Sequence, residues 1–393
     1  MDISIYFEAV DLSDFQNSFA GDNPRKMGNA AHIYATGTTF PDIEGAIDIA
    51  LIGVKEDRLA QDNKGCAEAP DQIRQNFYRL FHGNYNVRIA DLGNIKPGFT
   101  VEDTFFALRD VVVALLQSNI IPIIIGGSQD LTFANYLAYE SIGKIINIVS
   151  VDNSFDIGKN KETFNSAAFL NRIITHQPNI LFNYTNIGYQ TYMVDFEAIE
   201  LMKNLYFDVY RLGMVQADTE EVEPMVRNAD MISVDISSVR QSDAPGNGNA
   251  SPNGFYGEEL CRIMRYAGMS DKMTSLGIYE VNPLFDRNHQ TSALAAQLIW
   301  HFIDGFYNRK HDFPIKEKKE YVKYRVAIKE LNDEIVFYKS KKSDRWWVEV
   351  PCPTRLLTKY ERHYLMPCSY NDYKTACNED VPDRWWQAYQ KLM

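Results

Sequence analysis

Ile146-Asn-Ile-Val-Ser-Val-Asp152-Asn-Ser-Phe-Asp156 reads as a buried strand that stops at a carboxylate, and the pattern recurs along the chain. Runs of the same kind occupy 46–54 (AIDIALIGV), 86–93 (NVRIADLG), 120–127 (IIPIIIGG), 229–237 (ADMISVDIS) and 274–281 (TSLGIYEV). Stretches with helical spacing separate them, at 70–81, 101–118, 166–176, 196–205, 257–268 and 292–306. Near-continuous apolar strands alternating with helices specify a mostly parallel sheet covered on both faces, an α/β fold of three layers, α/β/α. Sites in such sheets lie at the carboxyl ends of the strands.

After Phe306 the pattern changes. A charge run at 316–320 (KEKKE) precedes YRVAI, EIVFYKS and RWWVEV, which alternate like strands, with ELNDE as the turn between the first two. The chain therefore divides into a lead-in (1–45), an α/β body (46–306) and a C-terminal extension (307–393) with a small antiparallel ribbon. Through Gly305 there are 22 Lys and Arg against 39 Asp and Glu, and from Phe306 onward 18 against 13, so a body of net −17 carries a tail of net +5. An acidic body argues against nucleic-acid binding, and a basic tail suits docking on that body or on an acidic partner. The tail holds four of the five tryptophans, Trp346, Trp347, Trp385 and Trp386, in two copies of Asp-Arg-Trp-Trp. They read either as large aromatics that pin the tail to the body or as a hot spot for a protein partner.

With 393 residues, 45% apolar and 23% charged, the chain has the composition of a globular protein that needs no disulfide or metal to close its core. It has no run of about 18 apolar residues, and its N-terminus lacks a basic segment followed by an apolar one, so neither a membrane nor a secretory pathway is expected and the expected location is cytoplasmic. Five cysteines, an odd number without a CxxC pair, read as reduced thiols.

The clusters that could carry chemistry fall at strand ends. Gly126-Gly127-Ser128-Gln129-Asp130 follows IIPIII; Asp152, Ser154 and Asp156 follow INIVSV; Asp235 and Ser237 end ADMISVDIS; Glu280 sits in Gly277-Ile-Tyr-Glu-Val-Asn-Pro283. Asp130 alone reads as a helix cap. Asp152, Asp156, Asp235 and Glu280 would share one crevice, where crowded carboxylates need a cation or a proton.

At these residues the chain resembles the ureohydrolase superfamily of arginases, agmatinases and formimidoylglutamases, from about Ile47 to Phe306. Asn63 to Arg74 is similar to that family's Gly-Ala-x-x-Gly-Pro-x-x-Ile-Arg segment, Asp91-Leu-Gly93 to its Asp-x-Gly, and Ala244-Pro-Gly-Asn-Gly248 with Pro252 and Gly254 to its Pro-Gly-x-Gly-Thr-Pro loop. Glu280-Val-Asn-Pro283 matches its Glu-Val-Asn-Pro, and 166–172 (SAAFLNR) resembles the formimidoylglutamase version of the substrate loop. The resemblance implies the arginase-like sandwich, a homo-oligomer, and hydrolysis of a guanidinium or formimino group by water activated between two Mn(II) ions held by two His and four Asp.

Carried over position by position, Asp152, Asp156 and Asp235 stand at three carboxylate ligands, while Gln129 and Ser154 replace the two His and Ser237 replaces the fourth Asp. Losing three ligands is expected to cost at least roughly a thousandfold in affinity or activity, since a second-shell change alone costs about 10 to 100-fold. The expectation is thus a ureohydrolase-like pseudoenzyme with a degenerate metal site, a non-catalytic binding or scaffold protein. Its expected cofactor is none, or one weakly bound Mg, Ca or Mn, with Lys159 or Arg240 as alternative neutralising cations. The alternatives are a single-metal hydrolase of a formimino or guanidino substrate using Asp152, Asp156, Asp235 and Gln129, and an amidine sensor using Glu280. In the family this glutamate holds the substrate's cationic nitrogen; its other reading is a structural anchor.

Overall fold

The computed structural model describes residues 2–15, 23–83, 85–158, 164–313, 318–328 and 333–393. Ten strands form the central sheet: β1 (Phe7–Glu8), β2 (His32–Ile33), β3 (Ile49–Val54), β4 (Ile89–Ile95), β5 (Ile121–Ile125), β6 (Ile146–Val151), β7 (Leu181–Tyr189), β8 (Asp208–Arg211), β9 (Met231–Asp235) and β10 (Ser275–Tyr279). Their order is β1-β4-β3-β5-β10-β9-β6-β7-β8, with β2 also on β4. Only β1 runs antiparallel to its neighbour among these pairings.

Alternation along the buried strands builds two cores. Ile49, Leu51, Ile123 and Ile125 face one, with the helices Ala69–Phe77, Gly257–Gly268 and Gln290–Tyr307. Ala50, Ile52 and Ile124 face the other, with the helices Val101–Gln117 and Leu131–Ser141. Successive side chains of a strand point to opposite faces, so each strand must be apolar throughout. The three-layer sandwich expected from the sequence is the fold observed.

Strands β1, β2, β7 and β8 and the helix Leu131–Ser141 go beyond the expectation. β7 reads LFNYTNIGY and carries Asn183, Thr185 and Asn186 in its interior, so it lacks the apolar run that marks its neighbours. Those polar groups are nonetheless paired: Asn183 Nδ2 donates to Asp208 Oδ2 at 2.6 Å and Asn186 Nδ2 to the Ser154 carbonyl at 2.7 Å. The helix Leu131–Ser141 is buried nearly all round and has no amphipathic stripe to betray it. The helix expected over 166–176 is a 3-10 turn, Ser166–Ala168, followed by the helix Phe169–Thr175.

The C-terminal extension is larger than a ribbon. Strands β11 (Tyr321–Ile328), β12 (Asp333–Ser340), β13 (Trp346–Glu349) and β14 (Leu365–Cys368) form one antiparallel sheet in sequence order, followed by the helices Tyr370–Cys377 and Asp383–Leu392. Residues 316–317 of the charge run and 330–332 of the expected turn lie outside the described residues. The two Asp-Arg-Trp-Trp copies take different structures. Trp346 and Trp347 are in β13, whereas Trp385 and Trp386 are helical. Trp346, Trp347 and Trp385 are buried and Trp386 is 44% exposed.

Charge complementarity seats the extension on the body. Arg362 meets Asp230 at 2.6 Å, Arg384 meets Glu221 at 2.8 Å and Arg345 meets Glu223 at 3.1 Å. In the reverse sense, the buried body residue Arg227 donates to the carbonyls of Trp346 and Cys368 and lies 4.4 Å from the Trp347 ring centroid. All five cysteines are free thiols, and among the described residues no helix is long and apolar enough to cross a membrane.

Candidate metal and substrate site

The site follows from sheet order. β5, β10, β9 and β6 are consecutive neighbours, so the segments after their carboxyl ends emerge side by side. Register completes the alignment: Val151 lies opposite Val234 and Tyr279 opposite Asp235, which brings Asp152, Asp235 and Glu280 to one level. Ligand oxygens of Asp152, Asp156 and Asp235 lie within 4.8 Å of one another. The carboxylates singled out in the sequence therefore converge.

Two backbone features deliver them. Gly126 and Gly127 have φ of 87° and 71°, and a Cβ on Gly127 would lie 2.5 Å from the Glu56 carbonyl oxygen. This turn permits only glycine and puts Gln129 beside the carboxylates. Asp156 and Glu280 also have left-handed backbone, at φ of 49° and 65°. Strain of this kind costs about 1–3 kcal/mol per residue and concentrates at functional sites.

Hydrogen bonds then fix each side chain while leaving oxygens over. Asp152 Oδ1 accepts the Ser154 N–H at 3.0 Å, and Asp152 Oδ2 is buried without a partner. Ser154 Oγ donates to Asp156 Oδ1 at 2.7 Å, and Asp235 Oδ1 accepts the Ser237 N–H at 2.7 Å. Ser237 Oγ accepts from Asn153 Nδ2 at 3.2 Å. Gln129 Nε2 reaches Ser150 Oγ and Ser233 Oγ at 3.4 and 3.3 Å, which leaves Gln129 Oε1 buried and unpartnered. Glu280, 3% exposed, accepts Asn63 Nδ2 at 2.7 Å and the Gln129 N–H at 2.8 Å.

Burial raises the Asp235 carboxyl to about 7, with the Asp156 charge adding to it. Burial likewise lifts Asp152 and Glu280 well above the usual carboxylate range, reinforced by Asp156 and Asp235 for the first and by Asp235 for the second. Burial raises Asp156 as well, against the hydrogen bond it accepts from the Ser154 hydroxyl. Such a group of acids calls for a cation. Among the described residues no Lys or Arg nitrogen lies within 4 Å of these four carboxylates. Arg240 is committed elsewhere, to Asp243 at 2.9 Å and over the Tyr256 ring at 3.7 Å, and Lys159 lies outside the described residues.

The donor set fits a hard divalent ion: three convergent carboxylates, an orphaned carboxylate oxygen and an orphaned amide oxygen are all oxygen ligands. Of these donors Asp156, Asp235 and Gln129 line a chamber of about 170 Å³ with Ser154, Ser237 and Glu280, while Asp152 is not among its lining residues. Asn153, Gln61, Ser166 and Asn249 also line it and were not singled out in the sequence. Asn153 sits within the Asp152–Asp156 segment, Ser166 opens the 166–172 stretch and Asn249 falls inside the loop from Ala244 to Gly254, so these three were within reach of that reading; Gln61 comes from a remote loop and carries no local signal. Asp130 does not join the chamber. It is wholly buried, and burial raises it to about 7.

Residues 47–304 match the model of the Arginase family. Among curated proteins the chain is 28% identical to the formimidoylglutamase of Clostridium tetani, covering 66% of this chain and 83% of that protein. It is 25% identical to that of Staphylococcus haemolyticus, covering 69% and 90%. Among solved structures, Trypanosoma cruzi formiminoglutamase with Mn2+2 matches with a TM-score of 0.62 at 19% identity, over 69% of this chain and all of that one. Bacillus subtilis formimidoylglutamase matches with 0.66 at 21% identity, over 74% and 95%.

These findings correct the cofactor expectation. Neither an absent cofactor nor one weakly bound Mg, Ca or Mn accords with relatives solved with Mn2+2 and with the acid cluster this chain keeps at its strand ends. The reading as a pseudoenzyme with a degenerate site gains no support either. It counted the imidazoles replaced at Gln129 and Ser154 and gave too little weight to the oxygen donors that remain.

Proposed function

Because the chain belongs to the arginase family through residues 47–304, we propose that it is a metal-dependent hydrolase of linear amidines, acting on a formimino or guanidino group. The observation that carries the proposal is the convergence of Asp152, Asp156 and Asp235 within 4.8 Å, with Asp152 Oδ2 and Gln129 Oε1 buried and unpartnered. A divalent ion bound there supplies Lewis-acid polarisation and makes water a competent nucleophile near neutral pH. Asp152, Asp156, Asp235 and Gln129 are the residues to hold it.

The remaining groups orient the reactants. The chamber admits an amidine head, and its acids favour a planar cation over a neutral amide. Ser237 offers a hydroxyl proton to the attacking oxygen, while Ser154, whose proton is donated to Asp156, keeps lone pairs that can accept from an amidine N–H. Water adds to the amidine carbon, the C–N bond breaks, and the nitrogen leaves as an amine with one proton from that water; a formimino group yields formamide and a guanidino group urea. Glu280 is held by Asn63 and the Gln129 N–H, so it fixes two loops as well as presenting charge. With both its oxygens so engaged, no observation favours the sensor reading.

The test is release of formamide or urea from N-formimino and guanidino compounds by manganese-loaded protein. Asp156→Asn and Asp235→Asn are expected to lower the rate by at least about 100-fold. Full activity in either variant would overturn the proposal.

A further inference from the structure

A separate cavity of about 610 Å³ lies beside the loop after β7. That loop, the start of the helix Leu212–Ala217 and the stretch 252–256 wall it, and it shares no lining residue with the reactive chamber. Gln190 stands between the two. Its N–H donates to the Asn153 carbonyl at 3.0 Å on the chamber side, and its Nε2 donates to the Asn253 carbonyl at 3.2 Å on the cavity side. Two arginines, Arg211 and Arg240, line this cavity, and although the body is strongly acidic, none of the described lining residues is Asp or Glu.

The groups on its walls are already held in place. Arg211 Nε donates to the hydroxyl of buried Tyr189 at 3.1 Å, and among the described residues no carboxylate pairs with Arg211, which leaves its terminal nitrogens to a ligand. The Arg240 guanidinium carbon lies 3.7 Å from the Tyr256 ring centroid, and its Nε donates to Asp243 Oδ1 at 2.9 Å. The exposed ring of Tyr192 is fixed through its hydroxyl, which donates to Gln190 Oε1 and accepts from Asn253 Nδ2 at 3.3 Å. Glu259 is near, accepting Gln216 Nε2 at 3.0 Å and the Tyr256 N–H at 2.9 Å, but neither it nor Asp243 lines the cavity.

We infer that this cavity is a binding site for a small ligand that joins a planar ring to an anionic group, phosphate or carboxylate. The guanidinium fork of Arg211 matches either anion through two parallel hydrogen bonds. The Arg240 guanidinium, backed by the Tyr256 ring, and the exposed Tyr192 ring are flat surfaces on which a planar ring stacks. Platforms fixed beforehand lose little freedom on binding, and the volume is that of a small-molecule pocket. The inference is independent of the hydrolase reading, since none of the acid cluster lines this cavity.

Calorimetric titration of the whole chain tests it with AMP and indole-3-acetate, each against its uncharged counterpart, adenosine and indole-3-ethanol, and with inorganic phosphate alone. At least one anionic ring compound is expected to bind about tenfold or more tighter than its counterpart, the difference expected for one hydrogen bond to a charged group. Which of the two does so tells phosphate from carboxylate. Arg211→Gln should remove that advantage. Gly213→Asp puts a carboxylate at a lining position where a Cβ meets nothing within 4 Å, so it should also remove the advantage, whereas Gly213→Asn should leave it intact. The Asp152→Asn, Asp235→Asn double variant should bind the anionic compound as the wild-type chain does, which separates this cavity from the metal site. The inference would be overturned by no binding of either anionic compound, by inorganic phosphate binding as tightly as they do, by an advantage that survives Arg211→Gln or Gly213→Asp, or by binding lost in the double variant.

Discussion

The backbone N–H of Gln129 donates to Glu280 Oε1 at 2.8 Å, joining the loop after β5 to the loop after β10. Asn63 Nδ2 binds the other oxygen of the same carboxylate and also the Glu280 carbonyl, and Asn247 Nδ2 reaches that carbonyl too. Three loops from remote parts of the chain thus meet at one strained residue. The wall of the chamber that carries Gln129 is built from the Glu280 side.

Asn63→Ala tests that construction. It leaves one Glu280 oxygen buried without its donor, and such a loss costs about 1–3 kcal/mol. The expected outcome is a lower midpoint in thermal or urea unfolding together with weaker manganese binding, whereas an effect on neither would make Asn63 incidental.

Gly127→Ala is expected to disrupt the same wall from the other side. The residue would be forced into left-handed backbone, at about 1–3 kcal/mol, and its Cβ would press on the Glu56 carbonyl. Reduced stability in urea, with loss of manganese binding exceeding the fraction unfolded, is the expected result.

The seat of the C-terminal extension depends on Arg227, whose guanidinium serves two carbonyls of the extension and Glu223 of the body. Arg227→Ala leaves those partners buried and is expected to cost about 3–5 kcal/mol. Limited proteolysis should then cut the extension while the α/β body persists.

Asp230 gives that interface an acid limit. Burial would raise its carboxyl, but Lys272, Arg362 and Lys144 overcome burial and hold it at about 2, below the ordinary 3.8. The folded value is the lower one, so the stabilisation is complete above about pH 4 and is lost as pH falls towards 2. It amounts to about 2 kcal/mol. Asp230→Asn should flatten the fall of unfolding free energy between pH 4 and pH 2; an unchanged slope would assign acid sensitivity elsewhere.

How much of this was legible in the sequence depended on whether a residue's role was local. Strands such as Ile49–Val54 declared themselves because both faces are buried, and Asp152, Asp156 and Asp235 did so because each follows such a strand. β7 did not, because Asn183 and Asn186 spend their polarity on Asp208 and on the Ser154 carbonyl, partners that only the fold supplies. The repeated Asp-Arg-Trp-Trp shows the same limit, since one copy is extended and the other helical. Gln129 was legible as a replaced histidine, but its free amide oxygen was not. That oxygen is set by Ser150 and Ser233 holding the amide nitrogen from two different strands.

The most direct test joins metal content to turnover. Protein equilibrated with manganese and then desalted is assayed for bound metal, and for formamide or urea release from N-butylformamidine and butylguanidine. Retained manganese that disappears in the Asp152→Asn, Asp235→Asn double variant, together with release of one of those products, is the predicted result. Protein that retains no manganese and hydrolyses neither compound would contradict the account.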